Sequence, residues 1–144
     1  MGAPGDLAGD LEWHLKTLII GATRNWARTV LEWNLTSNPT LTPHTDRGGC
    51  DRCLGAVTVD GDKVTRNSAY YIIAHAAKFV RPGSMRVATN YPETLPNVAF
   101  TSPEGKTVLI VLNAGSGPEQ FDLVRSAVRW KAFLAAGAVA TYVW

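Results

Sequence analysis

Val30-Leu31-Glu32-Trp33-Asn34-Leu35 reads as the end of a strand. It is a short apolar run followed by about twenty loop residues, from Thr36 to Gly55, before the next apolar element begins. Loops of that length without structure of their own are uncommon inside compact chains and are usually functional. A strand over Thr29–Leu35 that opens into a loop holding Asn38, His44, Asp46, Arg47 and two cysteines, with a helix beyond, is how a (β/α) barrel presents its substrate side. Alternation along the strand places Glu32 and Asn34 on one face and Leu31, Trp33 and Leu35 on the other. Trp33, at the strand's end, offers a flat apolar face and one N–H donor, the combination that suits a sugar ring. Glu32 needs a partner if it is buried, and Arg24 or Arg28 on the preceding segment is the expected one.

Working outward, Leu11, Leu15, Leu18, Ile19, Ala22 and Trp26 recur at helical spacing between Leu7 and about Arg28, with Asp6 or Asp10 as the expected cap. Beyond the loop, two short β-runs flank Asp60-Gly61, a hairpin signal. A helix from Asn67 to about Val80 follows, stopped by Pro82-Gly83 and apolar nearly all round, which predicts burial between two layers. After Pro82 the period becomes two. Strands are expected at Met85–Asn90, Asn97–Thr101, Thr107–Asn113, Glu119–Val124, Val128–Leu134 and Ala138–Trp144, with a tight turn at Ser102–Lys106. Six short strands at this spacing predict an antiparallel sandwich.

The 144 residues suffice for an ordinary core but not for a complete eight-fold barrel of roughly 250. A single barrel-type strand between two helices would have no parallel neighbour, which is resolved if the chain is the carboxy-terminal part of a longer protein. Hydrophobic residues make up 46% and charged residues 18%, as in globular chains. The net charge of +2 comes from 14 basic and 12 acidic residues scattered singly, so no basic stripe points to nucleic acid. The longest apolar run, Ala132–Ala140, is too short to span a bilayer, and the amino terminus carries no signal-peptide pattern.

Cys50 and Cys53 have the C-x-x-C spacing of a redox pair, half a zinc site, a local disulfide or two unrelated thiols. The flanking Gly48-Gly49 and Leu54-Gly55 indicate a turn, so a loop role is expected, with or without a disulfide. No metal site and no cofactor are expected, because His44 would leave a zinc site one ligand short. Retaining glycoside hydrolysis needs two carboxyl groups roughly 5 Å apart, and no such pair stands out: Glu32 reads as a structural ion pair, and Asp46, Asp51, Asp60 and Asp62 lie in loops or turns. His14 and His75 fall inside helices, where packing roles are expected; His44, in the loop, is either a substrate contact or a brace. Trp13, Trp26, Trp130 and Trp144 are expected in cores, and Trp33 facing a ligand. Asn34-Leu35-Thr36 matches a glycosylation sequon but is a poor acceptor at a half-buried strand end.

Leu31-Glu32-Trp33-Asn34-Leu35-Thr36-Ser37-Asn38-Pro39, the run from Tyr70 through Val87, the strand Val108-Leu109-Ile110-Val111-Leu112-Asn113 and the closing Ala140-Thr141-Tyr142-Val143-Trp144 together resemble the carboxy-terminal third of glycoside hydrolase family 30, which includes glucosylceramidases and endo-β-1,6-glucanases. The resemblance implies α/β plus all-β architecture: the terminal strand and helices of a (β/α)8 barrel over residues 1–82, and an antiparallel β-sandwich over 83–144. It also implies a retaining β-glycosidase acting on β-glucosides, with an acid/base Glu and a nucleophilic Glu on barrel strands upstream of Met1, because Gly2-Ala3-Pro4-Gly5 looks like the segment just beyond the nucleophile strand. Trp33 falls on the family's sugar-contacting eighth-strand Trp, Asn34 follows it, and His44 lies near a loop position lining the same pocket; these three are the candidate substrate-binding residues. Glucosylceramide, β-1,6-glucan and other β-glucosides remain open as substrates. Family members are often secreted or lysosomal. The alternative reading, from another class, is a non-catalytic carbohydrate-binding or interaction module. The two differ in that a truncated barrel would expose apolar faces and self-associate.

Overall fold

The computed structural model describes residues 7–144. Asp6, one of the two expected caps, and Gly2–Gly5 lie outside the described residues. The chain divides into two compact units, one ending at Lys78 and the other comprising Phe79–Trp144.

In the first unit, α1 (Leu7–Trp13) passes into a π-helical segment, His14–Ala22. Gly21 permits the wide turn, because a Cβ there would lie 2.8 Å from the Lys16 carbonyl oxygen. The Thr23 hydroxyl donates back to the Ile19 and Ile20 carbonyls and helps close the segment. Asp10 sits in the first turn of α1 rather than capping it, where its charge still favours the helix amino terminus. The expected helix to Arg28 is too long: Trp26 takes a left-handed φ of 72° and is exposed. Trp13 is exposed as well, so neither tryptophan is a core residue. Of the expected stripe Leu15 and Ile19 are buried, and His14 and Ile20 join them while Leu18 and Ala22 are only partly buried, since the extra residue per turn displaces the stripe that a period of 3.6 predicts.

The expected strand Thr29–Leu35 is not one. The chain there is extended, and only β1 (Thr36–Ser37) joins a sheet. That sheet corrects the expectation of an unpaired strand, because β1 pairs in parallel with β2 (Val57–Asp60), Thr36 opposite Val57. The Ala56 and Val57 amides donate to the Asn34 and Leu35 carbonyls, each at 3.0 Å, and extend the contact backwards. β2 and β3 (Lys63–Arg66) form the hairpin expected about Asp60-Gly61. α2 (Ser68–Ala77) is shorter than expected and is not enclosed on all sides, since Ala69 and Ile72 are buried while Tyr70 and Tyr71 are exposed.

The second unit holds two antiparallel sheets close to the expected strands: β4 (Met85–Val87), β5 (Asn97–Thr101), β6 (Thr107–Leu112) and β9 (Val139–Val143) in the order β4-β5-β6-β9, and β7 (Glu119–Arg125) with β8 (Val128–Leu134). Their facing sides share a core of Leu95, Ala99, Leu109, Val111, Leu123, Ala132 and Leu134. Trp144 packs against that core, and half-exposed Trp130 leans on it at 5.4 Å between ring centroids. Asn113 closes the end of the sandwich. Fully buried, it donates to the Leu134 carbonyl at 3.0 Å and the Gly117 carbonyl at 2.9 Å, and accepts the Gly115 amide at 2.9 Å.

Asn113→Ala leaves those backbone groups without partners, so it should destabilise the second unit by about 2–4 kcal/mol; urea unfolding followed by tryptophan fluorescence checks this. A second expectation concerns His75 on α2, whose pKa burial pushes below its ordinary value. The unfolded chain therefore takes up this proton first as pH falls. Stability from this residue is fully present above about pH 6.5 and is lost as pH falls from there through the lower folded value. His75→Gln should remove that part of the pH dependence, measured as the change in urea midpoint between pH 7.5 and pH 5.

Candidate functional site

The extended segment before β1 carries the site. Alternation holds: Leu31 is 93% and Trp33 67% exposed on one face, while the Glu32 side chain, on the other, is 8% exposed. Its partner is His14 and not Arg24 or Arg28. The imidazole Nδ1 lies 3.1 Å from the Glu32 Oε1, with both side chains equally buried. His14 stands at the first residue of the π segment, where the helix turns its buried side towards the segment. A signal for this was present in the sequence, since His14 sits beside Leu15 and three residues after Leu11 on the apolar stripe. Asn34 donates from Nδ2 to the Thr36 carbonyl at 3.0 Å, which occupies the amide nitrogen of the sequon.

The loop is tied down at both ends. Asn38 Oδ1 accepts from the Thr40 amide, the Thr40 hydroxyl and the Thr42 amide, folding residues 38–42 into a compact turn. At the far end Gly55 donates to the hydroxyl of buried Ser37 at 3.2 Å, and a Cβ on Gly55 would stand 2.7 Å from the Thr36 Cα, so only glycine allows this approach. Asn67 donates to the Gly55 carbonyl at 2.7 Å and the Thr58 hydroxyl at 3.0 Å, fixing the loop exit to the start of α2. Asn67, with Ser68 one of the two expected caps of this helix, holds the cap position, but its side chain is spent on these ties and makes no cap bond; neither this nor the Ser37 tie was read from the sequence, because no local pattern reports such long-range contacts.

Between these anchors Cys50 and Cys53 form a disulfide, one of the expected possibilities. His44 is exposed in the same loop and makes no hydrogen bond or ion pair with a described residue. Trp33 and Asn34, though adjacent, face opposite ways, and no contact joins either to His44 among the described residues. Asp46 is likewise exposed. Glu32 is committed to His14 on the face away from Trp33, so it is not placed as a carboxylate beside a sugar on the indole. Among the described residues no group of His, Cys, Asp or Glu could hold a metal ion. No described helix is long and apolar enough to cross a membrane. A cavity of about 370 Å³ in the second unit, lined by Leu95, Ala99, Leu109, Phe121, Leu123 and Trp144 among others, is mainly apolar and lacks a paired-carboxylate arrangement.

What the site offers is an aromatic face beside an anchored polar loop. Residues 83–142 match the glycosyl hydrolase family 30 β-sandwich domain. The chain is 31% identical over 139 residues to endo-1,6-β-D-glucanase neg1 of Aspergillus fumigatus, covering 91% of this chain and 28% of that protein. It is 34% identical over 87 residues to the lysosomal acid glucosylceramidase of Mus musculus, covering 59% and 17%. The solved structure of the endo-β1,6-glucanase BT3312 superposes with a TM-score of 0.83 at 28% identity, over 96% of this chain and 31% of that one. Residues 83–142 belong to the β-sandwich domain of glycosyl hydrolase family 30, and the chain as a whole is similar to members of that family. It spans under a third of the length of these relatives.

Because the Trp33 ring is largely exposed, Trp33→Ala should change stability by less than about 1 kcal/mol, where truncating a core tryptophan costs about 3–5 kcal/mol. Urea unfolding of the two proteins side by side measures the difference.

Proposed function

We propose that this chain is the carboxy-terminal part of a retaining β-glycosidase acting on β-linked glucose, with β-1,6-glucan favoured over glucosylceramide as the substrate class. The single observation that supports the reading is the exposed indole of Trp33, held between the buried His14–Glu32 contact and a parallel backbone pairing; the resemblance to the family implies that this residue is its sugar-contacting tryptophan. The favoured substrate follows the endo-1,6-β-glucanase relatives, whose similarity extends over most of this chain. In this reading residues 1–82 belong to a (β/α)8 barrel and residues 83–144 form its companion sandwich. The acid/base and nucleophilic glutamates come from a part of the polypeptide not included in these 144 residues. Trp33 stacks on the sugar and its N–H donates to a hydroxyl, while Asn34 and His44 complete the rim.

Two assays test it. The chain alone should not hydrolyse an aryl β-glucoside, and turnover abolished by Glu32→Gln would overturn the assignment of roles. In the polypeptide that joins this chain to the carboxylate-bearing part, β-1,6-glucan should be cleaved with retention. There Trp33→Phe should lose about 0.5–1.5 kcal/mol of transition-state stabilisation in kcat/KM, and Trp33→Ala about 2–4 kcal/mol. Glycan binding without hydrolysis in that polypeptide would favour a binding module instead.

A further inference from the structure

The face on which Trp33 stands is decided by a residue that never meets a sugar. Residues 29–32 make no backbone hydrogen bond with a described residue, and the pairing with β2 begins only at the Asn34 carbonyl. Carboxy-terminal to Trp33 the chain is therefore held by backbone bonds from Ala56 and Val57. Amino-terminal to it, a tie among the described residues is the buried contact of Glu32 with His14. Side chains in an extended segment alternate with a period of two, so Glu32 and Trp33 cannot occupy the same face. With His14 present, the carboxylate is paired and stays inside, and Trp33 is obliged to project outward. Without it the carboxylate is buried and unpaired, a state costly enough that the segment turns Glu32 to water, and that rotation carries the indole off its exposed face.

We infer that His14 is a positioning residue for the sugar-binding face: acting through Glu32, it sets the orientation in which Trp33 is presented. This rests on the reading of Trp33 as the sugar contact, and the geometric part of it can be measured without any sugar.

The test uses the chain labelled with 5-fluorotryptophan. Trp33→Phe assigns the Trp33 line in the fluorine NMR spectrum, and the difference in shift between H₂O and D₂O reports its exposure. In His14→Ala the Trp33 line should broaden or split and its solvent shift should fall at least twofold, while the Trp26, Trp130 and Trp144 lines keep their positions and report intact units. His14→Asn, whose amide nitrogen falls where Nδ1 stands, should restore the wild-type line. His14→Phe fills the ring's volume without a donor and should behave as His14→Ala does, which covers the case in which the smaller residue does not fold. A folded donorless variant with an unchanged Trp33 line and solvent shift overturns the inference. If both donorless variants fail to fold, the pair is an element of overall stability and the inference falls too. Titration with gentiobiose is the separate arm: a Trp33 line that does not respond in the wild-type chain removes the sugar contact and leaves the positioning result standing.

Discussion

A carboxylate withdrawn from water needs a partner, and the first unit is arranged around meeting that need for Glu32. The nearest cations in sequence, Arg24 and Arg28, are not used; the chain reaches back eighteen positions to His14. That contact fixes which face of residues 31–35 is inside, so the aliphatic and aromatic side chains at 31, 33 and 35 stand outside. Once that register is set, the Asn34 and Leu35 carbonyls meet the amides of Ala56 and Val57, and β1 enters the parallel pairing. The ends of the loop are then close enough for Ser37, Gly55 and Asn67 to lock. The contact bears on register, since a buried carboxylate with a hydrogen-bond partner contributes little net stability while loss of the partner is strongly penalised.

The two units were legible to different degrees, for a physical reason. The sandwich strands were readable nearly to the residue because their information is local: an unbroken buried apolar run in Val108–Leu112, alternating burial in Glu119–Leu123, and turn residues such as Pro103-Glu104-Gly105. The alternation of residues 31–35 was equally readable, and with it the outward Trp33. The helix was extended too far, over residues 25–28, and its buried stripe was misjudged because a π turn breaks the 3.6-residue period on which such a reading depends. Its cause, the approach of the Lys16 carbonyl to Gly21, is visible only in three dimensions. The pairing of β1 with β2 was missed since two residues of parallel ladder carry no pattern of their own. Of the candidate site, Trp33 and Asn34 were found as types of group; that they face apart, and that His44 contacts neither among the described residues, depends on how the loop folds back.

The units also differ in what holds them. The second is built on facing apolar sides, with Asn113 satisfying the carbonyls that the sandwich's end would otherwise bury. The first leaves Leu31, Trp33 and Leu35 largely exposed and relies on side-chain polar ties at Glu32, Ser37, Asn38 and Asn67. Apolar burial is nondirectional and tolerates small rearrangements, whereas hydrogen bonds of 2.7–3.2 Å at these positions fix where each backbone segment runs. A unit held in that way gives up burial on one face but keeps a defined geometry there.

This trade bears on how a large aromatic side chain is kept exposed. An indole on a hydrophobic stripe would gain more by turning inward than by waiting for a ligand, because burying such a ring is worth a few kcal/mol. In this chain the inward position beside Trp33 is held by Glu32, whose carboxylate meets His14 on the buried side, whereas the Asn34 bond to the Thr36 carbonyl is exposed and local. Turning the ring in would turn Glu32 out and break its contact. The buried acidic neighbour therefore opposes burial of the ring. That is why Glu32, which does not share the face of the aromatic, carries as much information about the ring's exposure as the aromatic itself.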